Sequence, residues 1–279
     1  NYKDAEVYNK SDEYWEENRF ENLNKDELGV YKMLDTLQTV KKFKQIYSSV
    51  QIVASGYLPF GNFDYGPIFS TFGYNEVEGA RLRAGGRTYF GTNDTWRIQG
   101  YTAYGFKDDK FKYGLSGKWM VDKKNRLIIS GGNRRDIEQI GASLTTTYDV
   151  LGRSGASSSV FASGNNGKLT NINLSNVAIE MEPVKNLTFQ TGFSYRTLES
   201  ASPTFSLDYY TDIANNVVKS DVKQSEVSFQ VEYAPKRRTI GYAVEREIVD
   251  SPYSRFFVNY SHGFKGLLNS DFQYNKLQL

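Results

Sequence analysis

The sorting of connection lengths constrains this chain more than any other feature. Period-two hydrophobic patterning places strands near 76–90, 95–106, 111–121, 126–133, 169–182, 187–197, 223–234, 239–247, 254–263 and 269–279. Every second connection is four or five residues long: 91–94 (GTND), 122–125 (DKKN), 183–186 (PVKN), 235–238 (PKRR) and 264–268 (FKGLL). The intervening set is 107–110, 134–168, 198–222 and 248–253, and it holds every long loop. A β-sandwich has no reason to sort its loops by side. An outer-membrane β-barrel does, because its periplasmic turns are short and its extracellular loops are free to grow.

The strands alternate in the manner such a wall requires. In 95–106, Trp96, Ile98, Gly100, Thr102, Tyr104 and Phe106 oppose Arg97, Gln99, Tyr101, Ala103 and Gly105. In 111–121, Phe111, Tyr113, Leu115, Gly117, Trp119 and Val121 oppose Lys112, Ser116 and Lys118. In 187–197, Leu187, Phe189, Thr191, Phe193 and Tyr195 oppose Thr188, Gln190, Gly192, Ser194 and Arg196, and 225–233 repeats the pattern. Alternation alone does not separate a barrel from a soluble sheet. Aromatic placement and strand length do more. Trp96, Phe106, Phe111, Trp119, Tyr195, Tyr233 and Tyr260 read as membrane-interface aromatics, and several runs reach the ~9–11 residues of a tilted membrane strand.

The opposite face is expected to line an interior: Arg81, Arg83, Arg87, Arg97, Lys112, Lys118, Gln190, Arg196, Glu226, Gln230, Glu232 and Glu245. Cations dominate its first half and carboxylates, Glu180 and Glu247 among them, its second. A filled interior of ion pairs is the plainer reading. A transverse field that orients a permeating solute is the sharper one. Strand 169–182 changes phase between Ile172, Leu174 and Val177, Ile179, Met181, which a β-bulge near Asn176 would repair. Gly85-Gly86 and Gly131-Gly132 lie inside strand patterns and read as points of sharp bending or close packing in the wall, not as a phosphate loop.

Residues 1–46 differ. Leu28, Tyr31, Leu34, Leu37 and Val40 recur at helical spacing, with Asn24 as N-cap and Lys41, Lys42 and Lys44 near the far end. They are read as a short periplasmic helical segment, and 46–58 as the entry strand of a barrel over 47–279. Residues 59–75, rich in Gly and Pro, read as an interrupted loop or bulged edge. With 47–58 the strand count is eleven, and Asn269–Leu279 reads as a strand still in progress. Barrels of one chain close with an even number, so about 12 or more strands are expected in a longer chain.

Little catalytic chemistry is legible. The chain has no Cys and one His, which leaves no ligand set for zinc, and no cofactor is expected. His262 follows Phe256, Val258 and Tyr260 on the outward face, where an interfacial role outweighs a hydrolase reading. Lys+Arg of 34 against Asp+Glu of 32 gives no nucleic-acid footprint.

The runs YTAYGFKDDKFKYG (101–114), YNEVEGARLRAGG (74–86), YWEENR (14–19) and DELGVYKMLDTL (26–37) resemble the DUF5686 family, over most of residues 10–130 and more loosely beyond. The resemblance implies a large outer-membrane protein of the Bacteroidota, usually with a carboxypeptidase-regulatory-like domain ahead of the barrel, and no established activity. The expectation is therefore an all-β, transmembrane, antiparallel up-and-down barrel with a short N-terminal helical segment, in the outer membrane of a diderm bacterium. It is expected to be non-enzymatic, with a transport or envelope-assembly and scaffold role. An outer-membrane hydrolase and a soluble glycan-binding β protein are the alternatives. Its partners would be outer-membrane lipid, and other envelope proteins through the periplasmic segment or loops 134–168 and 198–222.

Overall fold

The computed structural model describes residues 14, 17–18, 24–91, 93–139, 168–202, 205–212, 214–249 and 252–279. The glycine- and serine-rich run 154–167, most of loop 134–168 and most of residues 1–23 lie outside the described residues. The chain divides into two compact units, Asn1–Leu58 and Pro59–Leu279.

The first unit holds two helices, α1 (Lys25–Thr39) and α2 (Lys41–Ser55). Asn24 is the N-cap of α1. Its side chain accepts from the Glu27 N–H at 2.8 Å, while its own N–H donates to the Glu27 carboxylate at 2.9 Å, a capping box. α1 ends at Val40, so Lys41 and Lys42 open α2, where they oppose its dipole. The expected entry strand at 46–58 is thus corrected. Its β-branched residues are set at helical spacing, Ile46, Val50 and Val53, and the helix stops at Gly56 in the left-handed conformation. Only Leu58–Phe60 is extended.

The second unit is one antiparallel meander of twelve strands. They are β1 (Leu58–Phe60), β2 (Phe63–Tyr65), β3 (Phe72–Asn75), β4 (Gly79–Thr88), β5 (Trp96–Gly105), β6 (Lys110–Asp122), β7 (Leu127–Gln139), β8 (Leu169–Val184) and β9 (Leu187–Ser200), then β12 (Asp221–Tyr233), β15 (Phe256–Phe264) and β16 (Tyr274–Gln278). Two small hairpins stand apart, β10 (Tyr209–Asp212) with β11 (Val217–Lys219), and β13 (Thr239–Ile240) with β14 (Glu247–Ile248). β2 and β3 pair with opposite ends of β4, forming one strand broken at 66–71. That matches the interrupted edge read from residues 59–75.

β8 needs no bulge at Asn176. It pairs without a break from Thr170 to Glu180 on both sides. Ile172 and Leu174 are simply apolar residues on the charged face, both buried. The register shift falls later, between Met181 and Val184.

The segment 239–247 is not a crossing. β12 connects to β15 through residues 234–255, on the same side as the short turns 89–95, 123–126 and 185–186. The connection 265–273 moves to the long-loop side. The sorting of loop lengths therefore holds for three short connections and fails at this fourth. Its alternating pattern, TIGYAVERE, serves a segment that folds onto the charged face.

Candidate functional site: the charged inner face

The two faces of the sheet are inverted relative to a soluble protein. Arg81 is 2% exposed, and Arg196, Glu138 and Glu226 are each 1% exposed. On the other face Phe111 is 72% exposed, Trp119 59% and Val177 58%. Charged residues are almost never fully buried unless paired, and here the pairing is extensive.

The sheet curls around its charged face. β4 and β7 are three strand spacings apart, about 14 Å along the sheet. Yet Arg81 on β4 forks onto Asp136 on β7 at 2.7 and 3.0 Å. The same guanidinium reaches Glu78 at 2.9 Å. The Tyr101 hydroxyl donates to Asp136, and Lys112 bridges Glu78 at 2.6 Å and Asp108 at 2.5 Å. Arg134 pairs with Glu138 at 2.5 Å. This network lies at the long-loop end, where Ile137 and Leu169 cluster with Val77 and Ala201.

The short-turn end is filled by the segment 240–246. Two short connections reach it, and a third holds Arg237 just ahead of it. From 89–95, the Asn93 side chain accepts the Tyr242 N–H at 3.1 Å and the Asp94 carbonyl accepts the Val244 N–H at 2.7 Å. From 123–126, the Arg126 guanidinium donates to the carbonyls of Ala243 and Val244 at 2.9 and 3.3 Å. From 185–186, the Asn186 amide donates to the Arg237 carbonyl at 3.1 Å. Val244 then packs on Met120 and Ile128. Glu245 takes Arg97 at 2.5 Å and Lys118 at 2.9 Å, and Arg246 pairs with Glu182. Burial pushes the Glu245 carboxyl up, but Lys118 and Arg97 outweigh it and hold the group below its ordinary value.

Arg81, Arg83, Arg87, Arg97, Lys112, Lys118, Gln190, Arg196, Glu226, Gln230 and Glu232 share one face of the sheet. Arg87 pairs with Asp64 at 3.1 Å. Arg83 donates to Ser70 at 2.5 Å and lies 4.0 Å over the Tyr101 ring. Arg196 meets Glu226 at 3.6 Å, and Lys276 reaches the same carboxylate at 3.5 Å. Glu232 holds both Arg237 and Arg255 at 2.7 Å. Gln190 and Gln230 are cross-strand neighbours. Glu245 reaches the face from the folded segment instead of a strand. The separation of cations from carboxylates is not found, because Asp64, Glu78, Asp94, Asp136 and Glu138 neutralise the first half locally. These five, with Arg126, Arg134, Glu182 and Arg246, are the members that patterning missed. Arg134, Asp136 and Glu138 continue the alternation of β7 past 133, and that continuation was the available signal.

The aromatics Trp96, Phe111, Trp119, Tyr195, Tyr233 and Tyr260 occupy the other face, and Phe106 stands just past the end of β5. Trp96 and Trp119 are cross-strand neighbours. His262 shares this face. Its Nδ1 lies 2.7 Å from the Asn275 side-chain oxygen, and its ring stands edge-on to Phe264. Neither neighbour is a nucleophile or a carboxylate.

Searches of curated proteins and of solved structures gave no match. A family model described as the C-terminal domain of a family of unknown function, DUF5686, matches residues 57–279. That span begins where the helical unit ends and takes in the whole twelve-stranded sheet, so the chain belongs to the DUF5686 family.

Proposed function

We propose that this chain forms the wall of a non-enzymatic β-barrel in the outer membrane of a diderm bacterium, closed at rest and acting in envelope assembly or scaffolding. One observation carries the reading: a continuous antiparallel sheet that buries arginine and glutamate and exposes phenylalanine, valine and tryptophan. In water that arrangement wastes the hydrophobic effect. In a bilayer it is the favourable one.

Strand lengths support an orientation. β8 has 16 residues and β9 has 14, beyond the ~9–11 that a tilted strand needs to cross. The surplus lies toward the long loops, where outward positions turn polar: Asn133, Arg135, Asn173, Ser175, Thr197 and Glu199. These ends would project from the outer leaflet, and the short turns with segment 240–246 would face the periplasm.

Paired charges and the inward segment favour a closed barrel over an open pore. The purified chain should partition into a detergent phase and show heat-dependent electrophoretic mobility. It should be electrically silent in planar bilayers. Steady ohmic conductance would replace the scaffold reading with a pore. Recovery in the aqueous phase without detergent would end the membrane reading in favour of a soluble β protein.

A further inference from the structure

A cavity of about 180 Å³ lies between segment 240–246 and the ends of β4 and β5. The sheet contributes Arg87 and Arg97 to its wall, the connection 89–95 contributes Tyr89 and Gly91, and the segment contributes Ile240, Glu245 and Arg246. Three guanidiniums and one carboxylate thus line one small space. The other carboxylates that hold these arginines are Asp64, Asp94 and Glu182, and none of them is part of the wall. Arg97 is 4% exposed, and its Nε has no hydrogen-bond partner.

Arg126, in the turn beside the segment, has its pKa pushed down to about 10, first by burial and then by the positive charge of Arg246, against which Glu182, Glu180 and Tyr242 act. The space is smaller than the ~300 Å³ lower bound of pockets for drug-sized ligands, so the occupant is a single compact group. Guanidinium forks match the oxygens of a phosphoryl group in geometry as well as charge.

We propose that this cavity binds a phosphoryl group, presented either as free phosphate or as the headgroup of an anionic lipid. Bound there, it would bridge Arg87 and Arg97 on the sheet to Arg246 on the segment and tighten the segment against the wall. The inference goes beyond the membrane and scaffold reading and does not depend on whether the barrel conducts.

The test is calorimetric titration of the full chain in detergent with sodium phosphate, against sodium chloride at matched ionic strength. A second arm places the chain in phosphate-free nanodiscs of phosphatidylcholine with or without phosphatidic acid. It reads hydrogen-exchange protection of the Val244 amide. Saturable binding of phosphate assigns the free anion. Added protection confined to the phosphatidic acid discs assigns the lipid headgroup. In either case Arg87→Gln/Arg246→Gln should weaken the effect at least about tenfold, since each charged hydrogen-bond partner is worth roughly that factor. Arg255→Gln, far along the sheet at Glu232, should leave it unchanged. Arg246→Lys keeps the charge without the fork and should fall between. The proposal is overturned if neither arm responds, if chloride gives the same heat, or if the Arg87/Arg246 double variant, still strand-rich by circular dichroism, responds like the parent.

Discussion

The inner face works residue by residue through exchange of partners. Arg81 is held by two carboxylates, and Asp136 by Arg81, the Tyr101 hydroxyl and the Ile137 N–H at 2.8 Å. Asp136→Ala strips Arg81 of its bidentate partner in a buried site. It should destabilise the folded chain by about 3 kcal/mol or more in urea titrations, the range for a broken buried pair. Arg81→Met/Asp136→Leu should recover much of that loss, because no lone charge remains. Full additivity of the two single losses would contradict the coupling. The glycines make a second residue-scale prediction. A Cβ on Gly86 would overlap the Phe63 ring and sit 2.5 Å from the Asp64 carbonyl oxygen. Gly86→Ala should therefore cost ~1–3 kcal/mol, as overpacking does, and the same urea midpoint reads it. That glycine was legible in the sequence as a point of sharp bending or close packing. The identity of the packing residue was not, since Phe63 arrives from a broken strand whose register no local pattern encodes. The same holds for Glu78. It sits in a turn, NEVEG, and its pairing with Arg81 and Lys112 is a product of the curl of the sheet.

At the scale of elements, period-two patterning located the long strands but ended β7 six residues short of Gln139, and it failed at two segments with one physical cause. β-branched and aromatic residues are compatible with strands, but what organises a segment is the surface it must cover. In α2 the apolar residues recur at intervals of four and three, and the helix prevails. In 239–247 the alternation is real, but only Thr239 and Ile240 pair, with Ile248 and Glu247. The remainder is shaped by Arg126, Asp94 and Arg97. This segment has a predictable pH response. Glu245 has its pKa lowered in the folded state, so its ion pairs contribute stability that is full above the ordinary glutamate range and lost as pH falls through the depressed value. Hydrogen-exchange protection of the Val244 amide, bonded to Asp94, should therefore be constant near neutrality and drop on acidification below pH ~4. Glu245→Gln should flatten that drop, at a lower protection throughout. A parent and variant with the same acid response would remove Glu245 as the latch. The hairpin of β10 and β11 is tied down similarly. Lys219 meets Asp271 at 2.6 Å. Asp271, although burial pushes it up, is held below its ordinary value by Lys219 and by the Lys223 N–H.

For the whole molecule, the question is which solvent the outward face meets. A soluble sheet and a membrane wall can share every backbone hydrogen bond described above and still respond oppositely to one substitution. Val177 is exposed on β8, flanked in register by Gly131 on β7 and Phe193 on β9. If water bathes that face, Val177→Arg replaces an exposed apolar side chain by a charged one. The effect on stability should then lie within about 0.5 kcal/mol. If lipid bathes it, the same change places a guanidinium near the bilayer midplane and costs ~2–4 kcal/mol. The membrane reading therefore expects Val177→Arg to lower folding yield into phosphatidylcholine vesicles and to shift the urea midpoint accordingly. Arg135→Val, on the same face but at the polar long-loop end, should fold as the parent does. Asn173→Arg, its cross-strand neighbour, should also be tolerated there, because that row would stand above the hydrocarbon. A Val177→Arg chain that folds into vesicles as well as the parent would place the phenylalanines and tryptophans against water after all. The inverted faces would then need another partner.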